Sequence, residues 1–366
     1  MHNDLLLIIV VAAALAFDFT NGFHDTANVV ACAISTRALA PRTAIALASL
    51  LNFAGAFISL KVAATIATGI VRTGQVTGTI AFAGLIGAII WNLMTWARGL
   101  PSSSSHALIG GVVGAMLAAV GSGGVRVHGI LTLVMIPALV APAIALVAAG
   151  VLIIVLYRLL GRRSPGPVTR GLRGGQIIAN AALALAHGSN DAQKTMAVIT
   201  LALVANGDLS RHHTHVPGWV VICAAAAIAA GTYAGGWRII RTVGSRIIKM
   251  DGAQGFAAQS AGAAVILVSS HLGYPLSSTQ VISGGVIGAG AAKRLSAVRW
   301  GVAGSIALAW LATLPAAALL GALVYAVAAL FGSGALGPLL IIVLAAGALA
   351  GALATRRRRP AQVASA

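Results

Sequence analysis

Two short motifs place charged and amide side chains inside runs of apolar residues. NGFHDTAN (21–28) contains Asp25, and HGSNDAQKTM (187–196) contains Asp191 and Lys194. An ionisable side chain within the hydrocarbon of a membrane costs at least about 2.5–3.5 kcal/mol, so such residues usually face a cavity and mark a pathway. The matched carboxylates therefore favour a cation site, and a buried polar network that only joins helices is the alternative.

Two serine-rich motifs suit an anion. PSSSS (101–105) and PLSST (275–279) each follow an apolar run that ends in a break. Proline is favoured at the first helical position, so Pro101 and Pro275 predict helix starts with hydroxyl groups in the first turn. The unpaired N–H groups and the positive end of the dipole at a helix start bind anions. We expect each motif to be a re-entrant hairpin whose tip meets the site.

The serines also raise the alternative of a nucleophilic hydrolase. The sequence contains neither a G-x-S-x-G elbow nor an S-x-x-K pair, which are the usual settings of an activated serine in such enzymes. We therefore expect that the protein is not an enzyme and that it holds no cofactor.

The motifs occur twice. PSSSSHALIGGVVGA (101–115) aligns without gaps to PLSSTQVISGGVIGA (275–289), with eight identical residues. GFHDTANVVA (22–31) aligns in the same way to GSNDAQKTMA (188–197), which pairs Asp25 with Asp191. The two offsets, 174 and 166 residues, are close enough to indicate one ancestral duplication.

The composition places these motifs in a membrane. The chain has 366 residues, of which 59% are hydrophobic and 8% charged, whereas a soluble domain carries about 25% charged residues. Apolar stretches long enough to cross a bilayer recur throughout, so we predict an all-α polytopic membrane protein with about 10–12 membrane segments. Glycine and amide residues around both aspartates predict that the helices are broken there.

Basic residues predict the orientation. The net charge of +18 does not indicate a nucleic-acid partner, because the basic residues lie mostly in short loops, where they set membrane topology. Placing the more basic loops in the cytoplasm puts the N-terminus outside and the C-terminus inside. An odd number of segments then precedes the central polar linker, so the two repeats are predicted to be inverted, as in many secondary transporters.

The predicted domains follow from the repeats and the linker. They are a first membrane repeat, a connecting span with a cytoplasmic linker, a second and inverted repeat, C-terminal spans and a basic cytoplasmic tail, at 1–128, 129–175, 176–292, 293–354 and 355–366.

The duplicated motifs resemble those of the Pit family of inorganic phosphate permeases. The likeness covers both halves of the chain. It implies an inverted-repeat carrier in the cell membrane that imports inorganic phosphate together with a cation by alternating access. The resemblance also implies the substrate residues, namely Ser103, Ser104, Ser105, Ser277, Ser278 and Thr279.

The coupling residues are predicted around the two aspartates. They are Asp25, Asn28, Asp191, Asn190, Gln193, Thr26 and His24. Asp25 and Asp191 are also the candidates for holding a metal, although no complete metal-ligand set is evident.

One departure from the family pattern bears on the coupling ion. In the sodium-coupled branch the motif resembles N-D-x-[AS]-N in both repeats. Here Asn28 keeps the last amide, but Lys194 stands at the matching position and His24 precedes the first aspartate. We interpret Lys194 as a tethered cation that balances Asp191 where sodium would otherwise bind, and as a further substrate residue. The proton is therefore the favoured coupling ion.

Several alternatives stay open at this stage. Sodium or a divalent metal is the alternative coupling ion. Phosphate carried as a neutral metal–phosphate complex is the alternative to free phosphate as the cargo. Sulfate or arsenate is an alternative substrate, and an anion channel is an alternative mechanism. The expected partners are inorganic phosphate and membrane lipids, without nucleic acid and with a homodimer left open.

Overall fold

The structure is a computed structural model that describes residues 3–210, 215–332 and 334–347. The described chain is helical and contains no strand. Its helices α1 to α13 span Asp4–Ser35, Pro41–Gly55, Lys61–Gly69, Gly78–Ala97, Ser104–Val120, Val127–Ile130, Ile136–Leu160, Pro165–Asn206, Gly218–Ala234, Trp237–Arg241, Gly252–Leu272, Ser278–Lys293 and Trp300–Ala329.

Within the described residues, five helical segments are long and apolar enough to cross a membrane. Helix α9 and the helical segment after it, Trp237–Arg246, meet at a bend of 60°. They add a sixth spanning segment if the two are counted as one span. The five are Asp4–Ser35, Gly78–Ala97, Val127–Leu160, Gly252–Leu272 and Trp300–Ala329. Two shorter apolar helices are α5 and Leu336–Gly347, and the predicted segment at 176–204 lies within the 42-residue helix α8. The predicted basic tail at 355–366 lies outside the described residues.

Two helical hairpins carry the serine motifs. The first joins α4 to α5 and the second joins α11 to α12. Each turns at a glycine in the left-handed region, with φ of 65° at Gly99 and 84° at Gly273, a conformation that favours glycine because it has no Cβ. The predicted hairpins are therefore present in both halves.

The prolines do not occupy the predicted first helical position. Ser103 and Ser277 are the N-caps instead, and their hydroxyl groups accept the backbone N–H of His106 and Gln280. Pro101 lies two residues before its cap, as does Pro275. Serine is among the best N-cap residues, so the serine rather than the proline determines where each helix begins.

The helices that carry the two aspartates are continuous, so the predicted breaks at Asp25 and Asp191 are wrong. The glycines of these motifs serve close packing instead. A Cβ on Gly22 would lie 2.4 Å from the carbonyl oxygen of Ile228, and a Cβ on Gly188 would lie 2.1 Å from that of Asn52. The glycines let α9 and α2 approach the backbones of α1 and α8.

The packing is reciprocal between the two halves. In the first hairpin a Cβ on Gly110 would lie 2.5 Å from the carbonyl oxygen of Leu314, on α13. In the second, a Cβ on Gly284 would lie 2.4 Å from that of Pro142, on α7. The two glycines are aligned in the repeat, which supports the duplication. The inverted orientation of the repeats and their boundaries stay predictions.

The segment predicted as a central linker is largely helical. Helix α8 begins at Pro165 and continues through Asp191 to Asn206. Its first turns are mostly exposed and its later turns are buried. The Pro and Gly residues at 165–175 therefore form the exposed start of a long helix and do not end one.

The close helix contacts predict a stability effect. We expect Gly114→Ala to lower the free energy of unfolding by about 1–3 kcal/mol because overpacking forces backbone shifts. The added Cβ would lie 1.8 Å from the carbonyl oxygen of Ala318. Thermal unfolding of the detergent-solubilised protein measures this effect.

Gly304→Ala is the matched control, since a Cβ there meets open space. It should unfold at or above the wild-type temperature, because alanine is the better helix residue. Equal unfolding temperatures for the two variants would contradict the packing described for α5 and α13.

Candidate functional site

The tips of both hairpins meet α1 and α8 inside the protein. The hydroxyl of Ser105, at the start of α5, donates to the carbonyl oxygen of Leu276 at 3.2 Å. Thr279, at the start of α12, donates to Asp25 Oδ1 on α1 at 3.0 Å. Two helix starts and two carboxylate-bearing helices thus surround one small region, as the paired motifs predict.

Lys194 is at the centre of this region. Its ammonium group donates to the carboxylate of Asp191, to the hydroxyl of Ser105 and to the carbonyl oxygen of Leu276, the last at 2.8 Å. An ammonium group has three N–H donors, so all of them are used. The side chain is 1% exposed. Lys194 therefore joins α8 to both hairpin tips.

Asp191 has further partners besides Lys194. The hydroxyl of Ser278 donates to its Oδ2 at 2.9 Å. His187 Nε2 lies 2.8 Å from the same oxygen, one helical turn away, and His187 Nδ1 lies 3.1 Å from Asn52 Oδ1. The carboxylate is thus held by its own helix and by the second hairpin.

Asp25 has a matching set of partners in the other half. His24 Nδ1 lies 2.7 Å from its Oδ1. Thr279 donates to the same oxygen and accepts the side-chain amide of Asn28 at 2.8 Å. Each aspartate therefore has one histidine on its own helix and one hydroxyl from the second hairpin.

The first hairpin reaches Asp25 only through His24. His24 Nε2 lies 3.3 Å from the Thr95 hydroxyl and 3.4 Å from that of Ser102, and these two hydroxyls are 2.8 Å apart. Ser104 Oγ lies 3.5 Å from His24 Nδ1. Sequence reasoning did not select Thr95 or Ser102, since neither belongs to an aspartate motif or to the aligned serines.

The two aspartates and His187 form one cluster. One ligand atom from each of Asp25, His187 and Asp191 lies within 4.8 Å of the other two. Carboxylate oxygen and imidazole nitrogen are ligands that cations accept, so this cluster is where a cation fits best among the described residues. The aligned aspartates Asp25 and Asp191 therefore lie close together in the structure.

Other predicted residues have partners away from the cluster. The Thr26 hydroxyl donates to Gly22 within its own helix. Asn190 donates to Ser270 and Tyr274 in the second hairpin. Gln193 accepts the N–H of Ala63 and donates to Ser189. Ser103 and Ser277 are the N-caps already described. The structure gives all five structural contacts, and their proposed transport roles stay predictions.

Asp18 is a buried acid that sequence reasoning did not select. It lies on α1 two helical turns before Asp25 and is 0% exposed. Two turns of a helix return a side chain to the same face, so Asp18 and Asp25 lie on the same face of α1. The signal available in the sequence was an acid within the apolar run LAFDFTNG (15–22).

Comparison with known proteins agrees with the motifs. A model described as the phosphate transporter family matches residues 21–173 and 161–321. A probable low-affinity inorganic phosphate transporter of Mycobacterium bovis is 53% identical over 320 residues, which are 87% of this chain and 77% of that protein. One of Bacillus subtilis is 42% identical over 324 residues, which are 88% and 96% of the two chains.

A solved structure shares the fold. It is described as the sodium-dependent phosphate transporter and matches with a TM-score of 0.81 and 24% identity, over 88% of this chain and 98% of the other. The predicted class of all-helical polytopic membrane protein is therefore confirmed.

The contacts of Lys194 predict an energetic coupling. We expect Lys194→Met to lower the free energy of unfolding by about 3–5 kcal/mol, because it leaves the buried Asp191 carboxylate uncompensated. Asp191→Asn should also be destabilising, because it leaves the buried Lys194 ammonium group uncompensated. The double variant removes both charges, so its loss should be smaller than the sum of the two single losses. Unfolding of the solubilised protein by sodium dodecyl sulfate measures all three.

The loss of packing at position 194 is the same in the single and the double variant. Comparing the two therefore isolates the interaction between the charges, without a separate control variant. A double variant that loses the full sum would contradict the direct pairing of the two charges.

Proposed function

This chain belongs to the phosphate transporter family, and we propose that it imports inorganic phosphate by proton symport with alternating access. The family is one of transporters and not of enzymes, so phosphate transport is the starting point. The direction, the coupling ion and the residues involved are the parts that we add.

The observation that carries the proposal is the convergence of two helix starts on Lys194. The first turns of α5 and α12 lie beside its ammonium group, which contacts Ser105 and Leu276. Helix starts present backbone N–H groups and a positive dipole end, which favour the binding of an anion such as phosphate. Ser104, Ser105, Ser278 and Thr279 add hydroxyl groups there, and each is no more than 2% exposed.

The neighbouring carboxylates make cation binding a requirement for phosphate binding. Asp25 and Asp191 both accept hydrogen bonds from the start of α12, and they repel a phosphate dianion at short range in a medium of low dielectric constant. Lys194 compensates only one of them. Binding of an additional positive charge removes the remaining repulsion, so the anion and the cation bind together. This mutual requirement is the proposed coupling.

The membrane voltage gives a second reason for co-transport. Moving one elementary charge across 100 mV is worth about 2.3 kcal/mol, so import of a dianion into a negative interior is opposed by about twice that. Protons that bind with phosphate cancel this opposition. A divalent metal carried as a neutral metal–phosphate complex would do the same, and it is the alternative cargo.

Lys194 supports the proton over sodium. Its ammonium group already occupies the position beside Asp191 in which a free cation would balance that carboxylate. His24 and His187 stand next to the two carboxylates. The sodium dependence in the description of the structural neighbour belongs to that protein.

The two hairpins are the proposed moving elements. In this structure their tips are packed together and the cluster is buried, which corresponds to an occluded state. Opening one hairpin from α1 and α8 would expose the site to one side of the membrane, and opening the other would expose it to the opposite side. Loop charges place the N-terminus outside in this scheme.

Uptake of radiolabelled phosphate into proteoliposomes tests the proposal. Proton, sodium and magnesium gradients are imposed separately, with protein-free liposomes as the control. We expect the inward proton gradient to drive accumulation above the external concentration. Sodium-driven uptake without any proton effect would contradict proton coupling, and uptake that never exceeds equilibration would favour a channel. Competition by sulfate and arsenate tests the choice of anion.

The two aspartates provide matched variants. Asp25→Asn and Asp191→Asn should each reduce proton-driven uptake at least about a hundredfold, as expected when a group required in the transport cycle is removed. Asp4→Asn, an exposed position on the same helix as Asp25, should transport normally. Near-normal uptake by either buried variant, at equal amounts of folded protein, would show that its carboxylate is structural.

A further inference from the structure

Asp18 is a buried carboxylic acid that the proposed site does not use. Neither of its carboxylate oxygens accepts a hydrogen bond from any described residue, although Thr195 and Asn21 lie beside it. Thr195 Oγ1 and Asn21 Oδ1 are themselves buried without hydrogen-bond partners. Buried polar groups are almost always hydrogen-bonded, and an ionised Asp18 offers no donor to Thr195 Oγ1 or Asn21 Oδ1, whereas a protonated Asp18 does.

Among the described residues, no basic side chain fills the role of donor in this conformation. Lys194 is the charged residue whose field acts on Asp18, but its three N–H donors are already used by Asp191, Ser105 and Leu276. With neutral histidines, three buried aspartates and one lysine leave two negative charges uncompensated. An isolated buried carboxylate is costly enough that it takes up a proton instead.

The helices packed on α1 offer no other cation. Helix α4 contains no acid, lysine, arginine or histidine, and α9 contains only Cys223 and Tyr233 as titratable groups. His106 on α5 and His187 on α8 are buried close to Lys194. The other basic groups of these neighbouring helices are exposed, and they include Arg42, Arg238, Arg241, His271 and Lys293.

From this geometry we propose that Asp18 is a proton-binding residue of the transport cycle, and that it carries its proton in the occluded state. The proton binds to one Asp18 oxygen from water on the outer side. The resulting O–H donates to Thr195 Oγ1 or Asn21 Oδ1, which supplies the missing donor. The proton is later released to water on the cytoplasmic side, which regenerates the carboxylate. This inference rests on the proposed proton symport.

The position of Asp18 suggests how the proton is linked to the hairpins. A protonated Asp18 leaves the ammonium group of Lys194 on Asp191, Ser105 and Leu276, so both tips stay closed. An ionised Asp18 competes with Asp191 for the same ammonium group. Withdrawal of Lys194 from Ser105 and Leu276 removes the contacts that hold the tips together, so release of the proton favours opening.

Two transport measurements on reconstituted protein test the inference. One is net phosphate uptake driven by an inward proton gradient, and the other is exchange of labelled for unlabelled phosphate at equal concentrations and pH. Asp18→Asn has the shape of the protonated acid but cannot release a proton. We expect it to lower net uptake at least about tenfold more than it lowers exchange, since a coupling step worth 1.4 kcal/mol is a factor of ten. Asp18→Glu should restore part of the net uptake, and Asp4→Asn should change neither.

The outcomes separate this inference from the proposed function. A wild-type protein that ignores the proton gradient contradicts the proposed function itself. A wild-type protein that follows the gradient, together with Asp18→Asn that follows it equally, contradicts only the role of Asp18. A sodium gradient that drives the wild type but not Asp18→Asn also overturns the inference, because Asp18 would then hold a metal cation.

Infrared spectroscopy covers the case in which Asp18→Asn does not fold. A protonated carboxylic acid has its own carbonyl stretching band, which should be present in the wild type with phosphate bound. The band should move in frequency in Asp18→Glu and stay in place in Asp4→Asn. An unmoved band in Asp18→Glu would overturn the inference.

Discussion

The arrangement of the site depends on the three hydrogen bonds that the ammonium group of Lys194 donates. This ammonium group is a buried charge, and such a charge persists only when it is paired and its hydrogen bonds are complete. Asp191 supplies the pairing, while Ser105 and Leu276 supply the other two acceptors from the two hairpin tips. The requirement to satisfy one ammonium group therefore brings α8, α5 and the start of α12 to the same place.

Small residues make this convergence geometrically feasible. Close helix packing within a membrane relies on glycine and alanine at the contacts, and Gly22, Gly188, Gly110 and Gly284 each bring a helix backbone within reach of a carbonyl oxygen from another helix. These contacts occur in corresponding places in both halves. The ammonium group contacts both hairpin tips, so both tips depend on the position of this one side chain.

The sequence predicted the centre of the site better than it predicted the local helix structure around it. Matched aspartates at Asp25 and Asp191 and serine motifs at aligned positions predicted the meeting of four segments, because buried charge and duplicated pattern are both readable from residue types. The predicted helix breaks were wrong because glycine has two uses, and Gly22 and Gly188 serve close approach. Asp18 was missed because a single acid in an apolar run has no aligned partner, and its isolation is visible only when its neighbours on α8 are known.

A structure of the protein with phosphate bound would show whether the anion binds at Lys194 and the two helix starts. We expect a tetrahedral anion between the starts of α5 and α12, with an oxygen within hydrogen-bonding distance of Lys194 Nζ and with the hydroxyls of Ser105 and Ser278 turned toward it. A phosphate bound elsewhere in the molecule, with Lys194 still held only by Asp191, Ser105 and Leu276, would contradict the account.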